Sequence, residues 1–148
     1  AQTLAYTGGV RDAWCAYFVS WVFKQAGYPM TAKNNGRIPL AWKPYGESIR
    51  EVFQARNAFH VPQKGGGYQA VLGDVVVFGE ERSHVGIVSE YRWNDKGFRL
   101  VAIEGNSNIQ GSPDRVVERT YTDPNVANIM GFGNASTFID TPAGAQKR

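Results

Sequence analysis

The sequence has only one cysteine, Cys15, and only two histidines, His60 and His84. A single cysteine excludes an internal disulfide and any zinc site built from several cysteines. No run of eighteen apolar residues is present, so no segment predicts insertion into a membrane. The opening residues AQTLAYTGGV lack the basic and apolar regions of a signal peptide, so none is predicted. The lysines and arginines form no basic run or nucleic-acid motif, and we expect no nucleic-acid partner.

The remaining composition is that of an ordinary globular domain. Hydrophobic residues make up 43% of the 148 residues and charged residues 20%, which is enough apolar material for one core. We therefore expect one domain over residues 1–148, with the motifs in residues 12–133 and a frayed tail at 140–148. The net charge of +3 favours attraction to anionic polymers.

Two helices are predicted in the first part of the chain. The first starts near Asp12 and stops at Gly27 and Pro29. Its inward stripe is predicted to contain Trp14, Phe18, Trp21, Val22 and Ala26. The second helix covers about Tyr45 to Ala55, and its inward side chains are predicted to be Ile49, Val52 and Phe53.

Strands are predicted in the second part of the chain. The apolar runs Val75–Phe78 and Val85–Val88 predict buried strands, and residues 98–103 follow a turn at Asn94–Gly97. Residues 115–119 and 129–132 are further strand candidates. Helices followed by strands predict an α+β domain with an antiparallel sheet.

Cys15 lies in the first turn of the first predicted helix. The helix dipole there favours a thiolate, and the free backbone N–H groups of the turn can donate to an oxyanion. The alternative is that Cys15 is a buried apolar residue on an amphipathic helix. An Asp12 carboxylate close to the sulfur would oppose thiolate formation and favour this alternative.

His84 is the candidate base. It follows a turn and begins the apolar run Val85–Val88, a position at the mouth of a cleft, and histidine exchanges protons near neutral pH. A strand-end histidine that faces solvent is the alternative. His60 is the competing base, but no polar motif surrounds it.

A third polar group is predicted where the strand over residues 98–103 ends. Glu104 and Asn106 have the same parity, so both face one side if the strand continues. If this strand pairs with that of His84, a carboxylate here orients the imidazole, as in a catalytic triad. A simple strand-terminating turn is the alternative.

Four segments in this order resemble the CHAP family, the cysteine, histidine-dependent amidohydrolases and peptidases of the NlpC/P60 and papain-like group. They are Trp14–Trp21, Gly73–Phe78, Ser83–Val88 and Ile103–Asn106. The sequence departs from the family pattern at Leu72, where proline is frequent, and at Ser83, where glycine often precedes the histidine.

The resemblance implies a papain-like α+β fold, with helices that carry the cysteine packed on an antiparallel, partly barrel-like sheet that carries the histidine. It implies catalysis by Cys15, His84 and Glu104 with Asn106 nearby, and hydrolysis of amide bonds in peptidoglycan or muropeptides without a metal or other cofactor. N-acetylmuramoyl-L-alanine amidase activity is favoured over peptide endopeptidase activity. Trp42, Tyr45 and Tyr68 are candidate aromatic residues for substrate binding.

Three alternatives stay open at this point. The chain is similar also to NlpC/P60 endopeptidases, which usually have a different third group. An inactive cell-wall-binding module would not need the cysteine, histidine and glutamate. An amidase acting on small glutathione-like conjugates would keep all three. The expected place of action is the bacterial cell wall, as a monomer, with an inhibitor or immunity protein as a partner if the protein is a toxin.

Overall fold

The computed structural model describes residues 15–28, 46–79, 84–105 and 115–139. Its helices are α1 (Cys15–Gln25), α2 (Gly46–Ala55), α3 (Pro124–Ala127) and α4 (Ser136–Ile139). Its strands are β1 (Phe59–His60), β2 (Val75–Phe78), β3 (Val85–Asn94), β4 (Gly97–Gly105), β5 (Val116–Tyr121) and β6 (Ile129–Gly133). This content confirms the predicted α+β class with an antiparallel sheet. Among the described residues, no helix is long and apolar enough to cross a membrane.

The first helix ends as predicted, but its buried stripe differs from the prediction. Gly27 has φ +91°, and the N–H groups of Gly27 and Tyr28 donate to the carbonyls of Lys24 and Phe23, which is a Schellman cap. Phe18 is buried as expected, together with Val19 and Phe23, whereas Ala26 is exposed. The predicted stripe was wrong at Ala26 because Cys15 lies on the buried face, and that face continues through Val19 to Phe23. Asp12 and Trp14 lie outside the described residues.

The second helix carries the three buried side chains that its periodicity predicts. Ile49, Val52 and Phe53 are each at most 2% exposed. They occupy positions i, i+3 and i+4, which form one face of a helix. This face packs into the same apolar cluster as Phe18 and Val19 of α1.

The six strands form one antiparallel sheet in the order β1-β6-β2-β3-β4-β5. β3 and β4 are joined by the predicted turn, in which Asn94 pairs with Gly97. The order is open, with β1 and β5 at its edges among the described strands. β1, α3 and α4 were not predicted, since elements of two to four residues show no periodicity.

The sheet separates two apolar clusters. Val75 and Val77 of β2 lie with the helices in one cluster, and Val76 and Phe78 lie in the cluster on the other face. A strand covered on both faces needs apolar side chains at every position, which explains the uninterrupted run Val75–Phe78. The candidate site lies where the two clusters meet, at the end of β2 marked by Phe78.

Candidate active site

His84 is held at the end of the sheet, directly before β3. Its carbonyl accepts a hydrogen bond from the Phe78 N–H at 2.9 Å, which ties it to the last residue of β2. Its ring stacks on the Phe78 ring with 5.5 Å between the centroids. The ring is buried and has two nitrogens available, so its neighbours decide its protonation.

Glu104 reaches His84 because of the register between β3 and β4. Ile87 pairs with Ile103, and continuing this register sets Glu104 opposite Gly86 and diagonal to His84 on the same face. The His84 Nε2 atom lies 2.7 Å from Glu104 Oε1. Gly86 leaves room for this contact, since a Cβ atom there would lie 3.0 Å from Glu104 Cγ. The pairing of the two strands that the site hypothesis required is therefore present.

Cys15 approaches the same imidazole from α1. The Cys15 thiol and the His84 ring are linked by a hydrogen bond. Because Glu104 occupies Nε2, Nδ1 is the nitrogen left for the sulfur. Cys15 belongs to the cluster that contains the helices, whereas Phe78 and Tyr121 belong to the cluster on the opposite face. His84 thus bridges the two faces of the sheet at its end.

The two partners of His84 control its charge. Burial by itself would lower the pKa of His84, but the hydrogen bonds with Cys15 and Glu104 and their negative charges outweigh it and raise the pKa to about 9. At neutral pH the ring is therefore an imidazolium that donates to both partners. An imidazolium beside a cysteine favours the thiolate, which is the nucleophilic form.

Glu104 is fully buried, and both of its carboxylate oxygens have partners. Oε1 bonds His84, and Oε2 accepts a hydrogen bond from the Tyr121 hydroxyl at 2.6 Å. The Arg119 Nη1 atom lies 4.0 Å from Oε1. A buried carboxylate needs such hydrogen-bond donors and nearby positive charge to offset the loss of contact with water.

Of the remaining predicted site residues, only Tyr68 lies among the described residues, and it is not part of this cluster. Asn106, Trp42 and Tyr45 lie outside the described residues. Tyr68 donates to Asp74 Oδ2 at 2.5 Å and stacks on His60 at 4.3 Å. Asp74 precedes β2, about four residues or ~13 Å along the strand from Phe78.

His60, the competing base, lies on the edge strand β1. Two strands, β6 and β2, separate β1 from β3, which corresponds to about 14 Å between β1 and β3. Of the two histidines, His84 is the one bonded to Cys15.

Asp74 is a buried carboxylate that the site hypothesis did not include. Its Oδ2 accepts from the Tyr68 hydroxyl and the Val71 N–H, and its Oδ1 accepts from the Ala135 N–H at 3.0 Å. Burial, together with the hydrogen bond and charge of Asp74, raises the pKa of Tyr68 above its usual range. Asp74 thus fastens the segment before β2 to the segment that leads into α4.

Sequence reasoning missed Tyr121 in the site. Tyr121 pairs with Leu100, four residues along β4 from Glu104, so strand pairing does not make them neighbours. The long tyrosine side chain closes this gap, and a shorter side chain would not. Two features of the sequence could have indicated Tyr121. The alternation of β5 turns Tyr121 toward the covered face, and a buried tyrosine hydroxyl needs a hydrogen-bond acceptor.

Comparison with known proteins gives one match. The model of the CHAP domain matches residues 5–106, more than half of the chain, and the matched region contains Cys15, His84 and Glu104. No curated protein and no solved structure matches the chain.

Proposed function

The chain belongs to the CHAP family, and from this we propose that it hydrolyses amide bonds in peptidoglycan with Cys15 as the nucleophile. CHAP domains are typically cysteine- and histidine-dependent amidohydrolases or peptidases. The observation that carries the proposal is the hydrogen-bonded series from Cys15 through His84 to Glu104. An inactive binding module would have no use for a buried carboxylate that orients the imidazole beside a thiol.

The reaction follows from the protonation of these groups. The Cys15 thiolate attacks the amide carbonyl carbon, and the charge on the oxygen is stabilised by backbone N–H donors, which we propose to include that of Cys15. The His84 imidazolium gives its proton to the nitrogen as the C–N bond breaks, so the amine leaves and a thioester forms. Neutral His84 then takes a proton from water, the hydroxide displaces the thiolate, and the acid is released with His84 protonated again.

Glu104 orients His84 and stabilises its positive charge. The contact of Glu104 with Nε2 directs Nδ1 toward the Cys15 sulfur. The negative charge of Glu104 keeps the His84 ring protonated until the proton passes to the leaving amine. We propose Asn106 as a further polar contributor to the site. Trp42 and Tyr45 remain proposals for substrate binding, whereas Tyr68 is engaged by Asp74 and His60.

We propose a papain-like arrangement with a partly barrel-like sheet. The support for the papain-like part is a cysteine on a helix packed against an antiparallel sheet, with the histidine before one strand and its carboxylate on the next. The support for strong curvature is a contact between Phe78 of β2 and Tyr121 of β5, whose ring centroids are 5.3 Å apart. β3 and β4 separate β2 from β5 in the sheet order, so a flat sheet would keep these rings about 14 Å apart.

The place of action and the partners are also proposals. We propose that the protein works as a monomer at the bacterial cell wall, where its net charge of +3 favours approach to anionic polymers. If the protein is a toxin aimed at other bacteria, a dedicated immunity protein is expected to bind it. Co-purification from the producing cell tests this.

Mass spectrometry of fragments from digested peptidoglycan tests both the activity and the bond. We propose that cleavage separates N-acetylmuramic acid from L-alanine, so that glycans without peptide and free stem peptides accumulate. The control is the same digestion with Cys15→Ala. Products in which every glycan keeps its L-alanine would assign the endopeptidase activity, and undigested material with the folded wild type would contradict the proposed function.

A further inference from the structure

Tyr121 is a buried tyrosine whose hydroxyl is directed at the catalytic carboxylate from behind. It lies at the end of β5 and is 4% exposed, so a substrate as large as peptidoglycan cannot contact it. Its hydroxyl donates to Glu104 Oε2 at 2.6 Å, on the oxygen opposite the one that holds His84. The two oxygens of Glu104 therefore have two different partners. His84, on Oε1, transfers the proton in the proposed reaction, and Tyr121, on Oε2, does not.

The Tyr121 ring also packs against two neighbouring side chains. Phe78 lies between the two other rings, with its centroid 5.5 Å from that of His84 and 5.3 Å from that of Tyr121. The Arg119 guanidinium lies 5.3 Å from the centroid of the Tyr121 ring. The ring that bears the donor and the ring that bears the catalytic nitrogens thus pack against one phenylalanine.

From this geometry we propose that Tyr121 is a positioning residue of the reaction, which holds the Glu104 carboxylate in the orientation that supports the positive charge of His84. The proposal rests on the proposed function of the Cys15–His84–Glu104 series. A carboxylate that is hydrogen-bonded to an imidazolium raises the pKa of that imidazolium, and a second hydrogen bond to the carboxylate fixes its position. The hydroxyl also limits rotation of the carboxylate, which keeps Oε1 directed at Nε2.

Several charged and titratable groups face Glu104 from the described elements around it. They are His84 before β3, Arg119 and Tyr121 on β5, and Cys15 of α1 through the imidazole. Arg119 is partly exposed, with 38% of its side chain accessible, so solvent screens its charge. The Tyr121 hydroxyl, like the His84 ring, is buried, so its removal from Glu104 should change the pH dependence that His84 sets.

The test is Tyr121→Phe, with Tyr91→Phe as the matched control. Tyr91 lies on β3 in the same apolar cluster, and its buried hydroxyl has no hydrogen-bond partner among the described residues. Both substitutions therefore remove one buried hydroxyl from one cluster, but only one removes a bond to Glu104. The first readout is the pH dependence of kcat and KM on a soluble muropeptide, with thermal unfolding to verify the fold.

We expect Tyr121→Phe to move the alkaline limb of kcat/KM downward by about one pH unit and to lower kcat roughly tenfold near pH 9, with KM unchanged. Tyr91→Phe should keep the wild-type profile. A wild-type profile for Tyr121→Phe would overturn the proposal. So would a loss of kcat and thermal stability without a shift of the alkaline limb, because that result marks a packing role only.

A second readout needs no substrate and separates this proposal from the proposed function. The His84 Nε2–H proton, bonded to a carboxylate, is expected far downfield in nitrogen-edited NMR, with His60 as the internal reference. In Tyr121→Phe, the pH at which the His84 ring signals report loss of the imidazolium should be about one unit lower than in the wild type. If the shift occurs but the wild type cuts no peptidoglycan, the function fails and the positioning role stands; if the signal does not move, the positioning role fails.

Discussion

His84 holds the proton that the proposed reaction transfers, and its neighbours determine the pH range in which that proton is present. Its pKa is raised to about 9, from an ordinary value near 6.5, by its hydrogen bonds with Cys15 and Glu104 and by their charges, in spite of its burial. Since the leaving amine needs the imidazolium, activity should persist through neutral pH and fall as the pH rises through about 9.

This dependence gives a prediction for Glu104→Gln. Glutamine keeps the shape but lacks the charge that raises the pKa of His84, so the alkaline limb of kcat/KM should move to lower pH. The rate at neutral pH should fall roughly tenfold to a thousandfold, as expected when one charge-assisted bond is lost. The measurement is the pH–rate profile of both proteins on one muropeptide. An alkaline limb that does not move would mean that Glu104 does not set the charge of His84.

At the scale of the elements, the site depends on one close approach between β3 and β4. Gly86 lies opposite Glu104, and a Cβ atom at Gly86 would lie 3.0 Å from Glu104 Cγ and 3.1 Å from the carbonyl oxygen of Ile103. At these distances the neighbouring atoms must move by a few tenths of an ångström, and a move of Glu104 Cγ would shift its carboxylate relative to His84.

We therefore expect Gly86→Ala to reduce kcat/KM by about tenfold or more and to cost about 1–2 kcal/mol of stability. The matched control is Gly66→Ala, because no atom lies within 4 Å of a Cβ placed at Gly66. Steady-state kinetics and urea unfolding of both variants provide the comparison. Equal activity in the two variants would refute the packing argument.

The longer helices and strands could be predicted from the sequence, but how they pair and pack could be predicted only in part. The buried face of α2 and the strands β2 and β3 follow from periodicity and apolar runs, which are local signals. The stripe of α1 was misjudged at Ala26 because the neighbouring elements decide which face is buried. The two-residue strand β1 has no periodicity of its own and forms by pairing with β6.

The same distinction holds for the site. Cys15, His84 and Glu104 each follow or end a recognisable segment, so their sequence neighbourhoods single them out. Tyr121 contacts Glu104 at a distance of 17 residues along the chain, through the length of its side chain and the register of β4 with β5. A register that tertiary packing determines cannot be predicted from any short segment of the sequence.

At the scale of the whole molecule, two buried carboxylates have separate sets of partners, and we propose that one serves the reaction and the other serves stability. Glu104 serves His84 at one end of the sheet, whereas Asp74 binds Tyr68, Val71 and Ala135 at the start of β2. Removing Asp74 would leave three donors without their acceptor, two of them backbone N–H groups.

Asp74→Ala should therefore lower the free energy of unfolding by about 3 kcal/mol and leave kcat of the folded fraction close to that of the wild type. The matched control is Asp123→Ala, which removes an exposed cap of α3 and should cost about 1 kcal/mol or less. Chemical denaturation combined with activity measured well below the unfolding temperature separates the two effects. A stable Asp74→Ala without activity would instead assign Asp74 to the reaction.

Whether Cys15 and His84 act as one nucleophilic unit is measured most directly by kcat/KM of Cys15→Ala, His84→Ala and the double variant on one soluble muropeptide. Alanine is tolerated within a helix, so Cys15→Ala should remain folded, which circular dichroism verifies. Members of one unit fail together, and we expect each single variant to lose nearly as much activity as the double variant. A folded Cys15→Ala that retains the wild-type kcat/KM would contradict the account.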